Sequence, residues 1–393
     1  MEKLPSDVLL DILSRLPYET IINCKLVRKP LRDITNNINE GFIFLQLGKP
    51  AGFKLCYGGE EHYDDITMRG DYSYKTLMEI DNHPSTEQEP PLSDMVGSFN
   101  GLVCLWVKQK SSYARDPIYI CNPATNEYIY LPAFNNYKKA CNAETKGYFH
   151  YGFGYHHPTD AYKVVRIYYH DVNDNEYPTI ISSSDEYSGQ VQAYTLGNGH
   201  GWRDIGRLNH DLAYYRSVWA NGSLHWIKDG AKEIVAFDLA DEEFRLIPFP
   251  PLSPDRSNTE VDLQLMFGGY LCVVHIDVGK QDEFIHIWVL EKKKKFSSSY
   301  DIRGHDEFNN LWRWSKKFSI PCAKAVTYFL FAVTKSNQVL MSSDRAVFCF
   351  DLGTQVLRKL WDNCSMRNSI AIPHVNSLVS LESLGEKSIM RKR

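Results

Sequence analysis

Four stretches of this chain repeat one pattern, in which an apolar strand ends in a polar turn and a second strand follows at once. They are ICNPATNEYIYLP (120–132), AYTLGNGHGWRDIG (193–206), AFDLADEEFRLIPFP (236–250) and CFDLGTQVLRKLW (349–361). Two weaker copies are FKLCYGGEEHYDDI (53–66) and the segment from FIHIWVL (284–290) to WRWSKKFSI (312–320). A two-stranded hairpin is marginal alone, so a chain that repeats one has to stack the copies. The turns recur at uneven separations, which marks the repeat as divergent. A hairpin repeated in this way favours a β-propeller-like fold over a single sandwich.

The rest of the chain beyond residue 40 agrees with a large all-β domain. Runs such as LVCLWV (102–107), KVVRIYY (163–169), IVAF (234–237), YLCVV (270–274), HIWVL (286–290) and VFCF (347–350) have strand length and β-branched or aromatic content. Asn100-Gly101 and Asn221-Gly222 precede apolar runs and fit tight turns that need positive φ. Trp202, Trp226, Trp288 and Trp314 lie in or beside these strands and are expected to pack between sheets.

The first forty residues follow a different period. Leu9, Ile12, Leu13 and Leu16 fall on one helical face, widened by Val8 and Leu10. Pro5 and Ser6 suit a helix start, and Pro17 cannot continue a helix. A second helical stretch covers Glu19 to Val27, and Pro30 can open a third. Three short helices bury little surface by themselves, so their apolar face needs a partner or the following domain to cover it.

Charge and cysteine content exclude several function classes. The 393 residues carry a formal net charge of −4, so no overall basic field holds a nucleic-acid backbone. The nine cysteines are odd in number and contain no C-x-x-C pair, which reads as reduced, buried thiols. Asp7, Asp11 and Arg15 interrupt the amino-terminal apolar stretch where a secretory signal would need an unbroken one. No run of eighteen apolar residues occurs, so a membrane span is not expected. These features point to the cytoplasm or nucleus.

Two resemblances join the halves. LPSDVLLDILSRLP (4–17) and CKLVRKPLRDIT (24–35) resemble the opening and closing segments of the F-box, with Leu31 standing where that family usually has Trp. From SFNGLVCL (98–105) through YGFGYHHPTDAYKVVRI (151–167) and NGSLHWI (221–227) to NSLVSLESL (376–384), the chain resembles the F-box-associated, kelch-like domain of plant F-box proteins. The resemblance implies a small all-α F-box of three helices at 1–40, and a connecting segment or first β unit at 41–96. An F-box-associated β domain at 97–384 and a basic tail at 385–393 complete the expected organisation. It further implies a substrate receptor of an SCF (Skp–cullin–F-box) ubiquitin ligase. A Skp-type adaptor would be held by Leu4, Pro5, Val8, Ile12, Leu16, Pro17, Val27 and Leu31, with cullin and RING subunits reached through it. A protein substrate would occupy the β domain, and neither nucleic acid nor membrane is expected as a partner. A binding module without ligase function and a kelch-type propeller enzyme are the alternatives.

No G-x-S-x-G elbow, Walker loop, H-E-x-x-H helix or dinucleotide fingerprint occurs, and neither catalytic residues nor a cofactor are expected. His156, His157, Asp160, His170 and Asp171 lack an established zinc spacing and read as a turn, not a metal site. Gly152 and Gly154 precede a strand, not a helix, so they belong to a hairpin and not to a phosphate loop. Lys292–Lys295 and Arg391–Arg393 read as charged surface. Long polar connections at 135–147, 171–190, 251–260 and 291–313 are where a β scaffold carries binding specificity. Tyr137, Tyr187 and Trp312 are the aromatics on them expected to anchor a substrate.

Overall fold

The structure is a computed structural model. It describes residues 40–48, 52–60, 72–81, 93–107, 118–132, 147–170, 188–213, 216–230, 233–252, 259–266, 269–277, 283–293, 311–322, 329–333, 338–343, 346–362, 371–377 and 379–390. The three expected F-box helices and the eight adaptor-contact residues lie outside the described residues.

The described chain is built almost entirely of antiparallel strands. The first three are β1 (Glu40–Gly48), β2 (Gly52–Glu60) and β3 (Tyr72–Asp81). Next come β4 (Ser93–Phe99), β5 (Leu102–Val107), β6 (Ile118–Asn122) and β7 (Glu127–Tyr130). They are followed by β8 (Gly147–His156), β9 (Ala161–His170), β10 (Gly189–Thr195) and β11 (Trp202–Leu208). The fourth group is β12 (Val218–Ala220), β13 (Ser223–Ile227), β14 (Glu233–Asp238) and β15 (Phe244–Pro248). Then β16 (Thr259–Met266), β17 (Tyr270–Asp277), β18 (Glu283–Lys292) and β19 (Trp312–Cys322) precede β20 (Phe329–Val333), β21 (Gln338–Ser342), β22 (Ala346–Asp351) and β23 (Val356–Asp362). The last two are β24 (Ile372–Val375) and β25 (Ile389–Met390). They form six sheets, with orders β24-β1-β2-β3, β25-β7-β6-β5-β4, β11-β10-β9-β8, β12-β13-β14-β15, β16-β17-β18-β19 and β20-β21-β22-β23.

The chain divides into two compact units. Met1–Thr145, Thr195–Trp202 and Cys364–Arg393 make the first, and Lys146–Tyr194 and Arg203–Asn363 make the second. In the second unit, consecutive sheets pack face to face, and this explains why its inner strands are apolar without interruption. Along β14, Ile234 and Ala236 enter one core with Leu271, Val273 and Leu290, while Val235 and Phe237 enter another with Val165, Val191, Leu224 and Trp226. Along β17, Leu271 and Val273 face back toward that first core, while Cys272 and Val274 join Ile285, Val339 and Phe350. A strand buried on both faces reads as a continuous hydrophobic run because successive side chains point to opposite sides.

Five of the six repeat copies fall on the last hairpin of a four-stranded meander: β6–β7, β10–β11, β14–β15, β18–β19 and β22–β23. Of the copy at 53–66, residues 53–60 lie on β2 and the rest lie outside the described residues. Three share one loop. Asn122, Asp238 and Asp351 each accept a backbone N–H two residues on through the side-chain Oδ1, from Ala124, Ala240 and Gly353. Four residues after each stands a left-handed residue, Asn126, Glu242 or Gln355, at φ 60°, 60° and 59°. Such Asx turns are favoured because the short side chain replaces a backbone acceptor. The expected two-residue turns are also present, with Asn100 and Gly101 at φ 44° and 82° and Asn221 and Gly222 at φ 52° and 83°.

Trp226 is buried as expected, whereas Trp202 and Trp314 are half-buried and do something more specific. Their indole N–H groups donate to the carbonyls of Pro132 (2.7 Å), which ends the hairpin copy at 120–132, and Pro248 (2.8 Å), which ends β15. Gly152 and Gly154 lie within β8 of a plain hairpin. A Cβ on Gly152 would stand 2.7 Å from Leu224 Cδ1, and one on Gly154 would meet Trp219 and Leu239, so these glycines admit the neighbouring sheet.

The first unit draws one sheet from both ends of the sequence, since β24 pairs with β1 through Phe42↔Pro373 and Ile43↔Ile372. Residues 40–81 therefore contribute three strands. Ile389 and Met390, inside the segment expected as a basic tail, pair with Tyr128 and Glu127 as a fifth strand beside β7. The five described cysteines, Cys56, Cys104, Cys121, Cys272 and Cys349, are buried thiols outside any disulfide.

Candidate partner-binding surface

In an antiparallel meander, the first and third turns lie at one end of the sheet. The connection between the second and third strands, and the exit from the fourth, lie at the other. By this rule the connections after β9 and after β15 leave their own sheets at the end opposite the tight hairpin turns, as does the one after β7. The connection between β18 and β19 lies instead at the tight-turn end of its sheet. Tyr137 and Tyr187, on the connections after β7 and β9, lie outside the described residues. Trp312 does not sit on a loop as expected from the polar run 291–313. It opens β19, pairs with Lys292 and packs against the core lined by Ile234 and Leu271, because β18 continues through Lys292, the first lysine of that run.

At the loop-bearing end of the sheets β8–β11 and β12–β15, the segment 209–213 is fixed from two sides. The Tyr169 hydroxyl donates to the His210 carbonyl (2.6 Å) and the Tyr148 hydroxyl to Asp211 Oδ1 (2.9 Å). On the other side, Ala213 N–H donates to the Ile227 carbonyl (2.9 Å) and Asp229 N–H to the Asp211 carbonyl (3.0 Å). The Tyr148 and Tyr169 rings stack at 5.2 Å, and His150 meets both edge-on at 5.7 and 5.8 Å. Lys228 and Glu233 form an ion pair at 2.7 Å beside this group.

The electrostatics follow from partial burial. Burial raises the Asp211 carboxyl above its ordinary range against the hydrogen bonds from Tyr148 and Leu212, and Asp229 adds to the rise. Burial lowers the His210 imidazole, with Lys228 acting in the same direction and Glu233 opposing it. The result is a half-buried surface of tyrosine, imidazole and carboxylate groups suited to hydrogen-bonded recognition. His210 and Asp211 fall in LNHDLAYYR (208–216), a short connection between hairpin copies. Its tyrosine and histidine content was the only sequence signal, because the contacts that organise it come from β8 and β9.

His156 and His157 belong to the turn between β8 and β9, while His170 ends β9 and Asp171 lies outside the described residues. His157–Thr159 is a single 3₁₀ turn between β8 and β9, closed by Asp160 at φ 51°. His156 Nδ1 lies 2.7 Å from Thr159 Oγ1, and the Tyr155 hydroxyl donates to Asp160. Among the described residues no three His, Cys, Asp or Glu side chains are grouped to hold a metal, and no helix is long and apolar enough to cross a membrane.

Comparison with known proteins bears on both halves. A family model described as the F-box associated beta propeller domain matches residues 68–377, and one described as the F-box domain matches residues 1–40. The Arabidopsis thaliana F-box protein At3g07870 is 28% identical over 328 residues, covering 77% of this chain and 73% of that one. F-box protein CPR1 of the same plant is 24% identical over 389 residues, covering 92% and 84%. A putative F-box/kelch-repeat protein, At1g13200, also of that plant, is 26% identical over 379 residues, covering 86% and 81%.

Proposed function

Because the chain belongs to the plant F-box proteins that carry an F-box-associated β-propeller domain, we propose that it is the substrate-recognition subunit of an SCF-type ubiquitin ligase. The observation that carries this reading is the pairing in one chain of an F-box match at 1–40 with a β-propeller match at 68–377. The F-box binds a Skp-type adaptor and, through it, cullin and RING subunits. The β domain holds a target protein near the ubiquitin-loaded conjugating enzyme. No catalytic group is needed on this chain, since holding reactants together raises their effective concentration. The chain acts in the cytoplasm or nucleus.

Adaptor contact falls to Leu4, Pro5, Val8, Ile12, Leu16, Pro17, Val27 and Leu31. Ile12→Asp with Leu16→Asp places two charges on the apolar helical face and is expected to abolish capture by immobilised adaptor; undiminished capture would sink the receptor reading. Leu31→Trp restores the large aromatic that the family usually has and is expected to tighten adaptor binding by about 1 kcal/mol, roughly fivefold. Titration calorimetry reads that change, and unchanged or weaker affinity contradicts the placement of Leu31 in the interface. Substrates would engage the loop-bearing sheet ends, where Tyr137, Tyr187 and the Tyr148–Asp211 surface belong to recognition, with Trp312 a separate anchor. Proximity labelling with the adaptor face mutated retains targets that would otherwise be degraded. Tyr148→Ala with Asp211→Ala should reduce their labelling while adaptor capture stays intact.

A further inference from the structure

The chain as a whole is acidic, yet residues 291–317 hold eight Lys and Arg against four Asp and Glu. The described part of that excess lies on one hairpin: Lys292 and Lys293 end β18 and its continuation, and Arg313, Lys316 and Lys317 stand exposed on β19. A single described carboxylate, Glu291, serves two of them, at 2.5 Å from Lys317 and 3.7 Å from Arg313. Lys292 Nζ lies 5.9 Å from the Trp312 ring centroid. Two cations on other edge strands of this unit are paired where they stand. Arg203 of β11 pairs with Glu242, and Arg245 of β15 pairs with Asp238 and Asp241.

β19 is also the edge of its sheet. At eleven residues it is the longest described strand, and no described strand pairs with its outer side. Its pairing with β18 shifts register between Ile287 and Trp288, opposite Phe318 and Lys316, so Lys317 is an extra residue on β19. An open edge carries a row of backbone donors and acceptors on which another strand can form. Lysines there oppose addition of basic strands and of a second copy of the same edge. The same charges attract a strand that alternates carboxylates with apolar residues.

We propose that the β19 edge is a docking site for an extended acidic segment of the target protein, held by strand addition with its carboxylates on Arg313, Lys316 and Lys317. This rests on the receptor reading and names the substrate chemistry. The test uses the full chain co-purified with a Skp-type adaptor and a fluorescent peptide alternating Glu and Val, followed by anisotropy. Binding is expected, weakened roughly tenfold or more by combined Arg313→Glu, Lys316→Glu and Lys317→Glu. A peptide alternating Glu and Pro keeps the charge but lacks half the backbone donors, and it should bind far more weakly. Absence of Glu-Val binding, equal binding of the Glu-Pro peptide, or tighter binding of single-stranded DNA each overturns the proposal. Adaptor capture and a melting curve are measured on the same samples. Loss of peptide binding with adaptor capture and folding intact in the variant supports the docking site. Failure of the wild-type chain to capture adaptor strikes the receptor reading instead.

Discussion

Deletion of residues 371–393 is expected to leave no cooperatively folded first unit. The deleted segment contains β24, which supplies one edge of the sheet β24-β1-β2-β3, and the buried side chains of Ala371, His374, Asn376, Ser377, Val379 and Leu381. It also satisfies polar groups that have no access to water. Asn122, fully buried, donates through Nδ2 to the carbonyls of Ser377 (3.0 Å) and Val379 (2.7 Å). Glu127, also buried, accepts from Leu381 N–H (2.6 Å) and the Ser380 hydroxyl (2.8 Å). Each buried polar group left without a partner costs about 1–3 kcal/mol, and several together rival a whole domain's stability of about 5–15 kcal/mol. The single substitution Asn122→Ala isolates part of this, with an expected loss of about 3 kcal/mol. Denaturant unfolding measures it, and a loss within experimental error would show that the C-terminal segment contributes little to the unit.

Acid should destabilise the protein through two buried histidines, one in each unit. His225, with Nδ1 3.1 Å from the Val218 carbonyl, and His374, with Nδ1 2.6 Å from Ser98 Oγ and Nε2 3.2 Å from Asn376 Oδ1, are each lowered by burial from 6.5 to about 4. Above pH 6.5 both are neutral folded or unfolded, and no penalty arises. As the pH falls below 6.5 the unfolded chain takes up protons that the folded chain refuses, so stability drops until the folded imidazoles also protonate near pH 4. Each histidine accounts for about 3 kcal/mol over that window. His225→Gln and His374→Gln keep a hydrogen-bonding group without the titration. Each is expected to flatten the dependence of unfolding free energy on pH between 6.5 and 4 by about that amount, whatever it does to stability at pH 7. A slope unchanged from the parent protein would contradict the neutral, buried assignment.

The parts of the fold legible from sequence are those decided within a hairpin. Asn100-Gly101 and Asn221-Gly222 declare their turns because the backbone conformation is a property of the dipeptide. Asn122, Asp238 and Asp351 close their loops with an acceptor only two residues from the donor. Trp312 misled because the lysine run beside it resembles loop composition, whereas Lys292 pairs with Trp312 in the ladder and only the following residues leave the strand. The recognition surface at Tyr148, Tyr169, His210 and Asp211 was not legible, since its hydrogen bonds join residues 41 to 63 positions apart.

The sequence by itself determined that a short stretch of helical period precedes repeated hairpins, because helical period and turn chemistry are local. Only the tertiary structure decided that β24 completes the sheet begun by β1, that Ser377, Val379, Ser380 and Leu381 satisfy Asn122 and Glu127, and that the cations of β19 stand on an edge no described strand covers. Those outcomes depend on which backbone groups remain unpaired once the sheets have formed. Partners hundreds of residues apart meet through shared burial and leave no periodic trace in the chain.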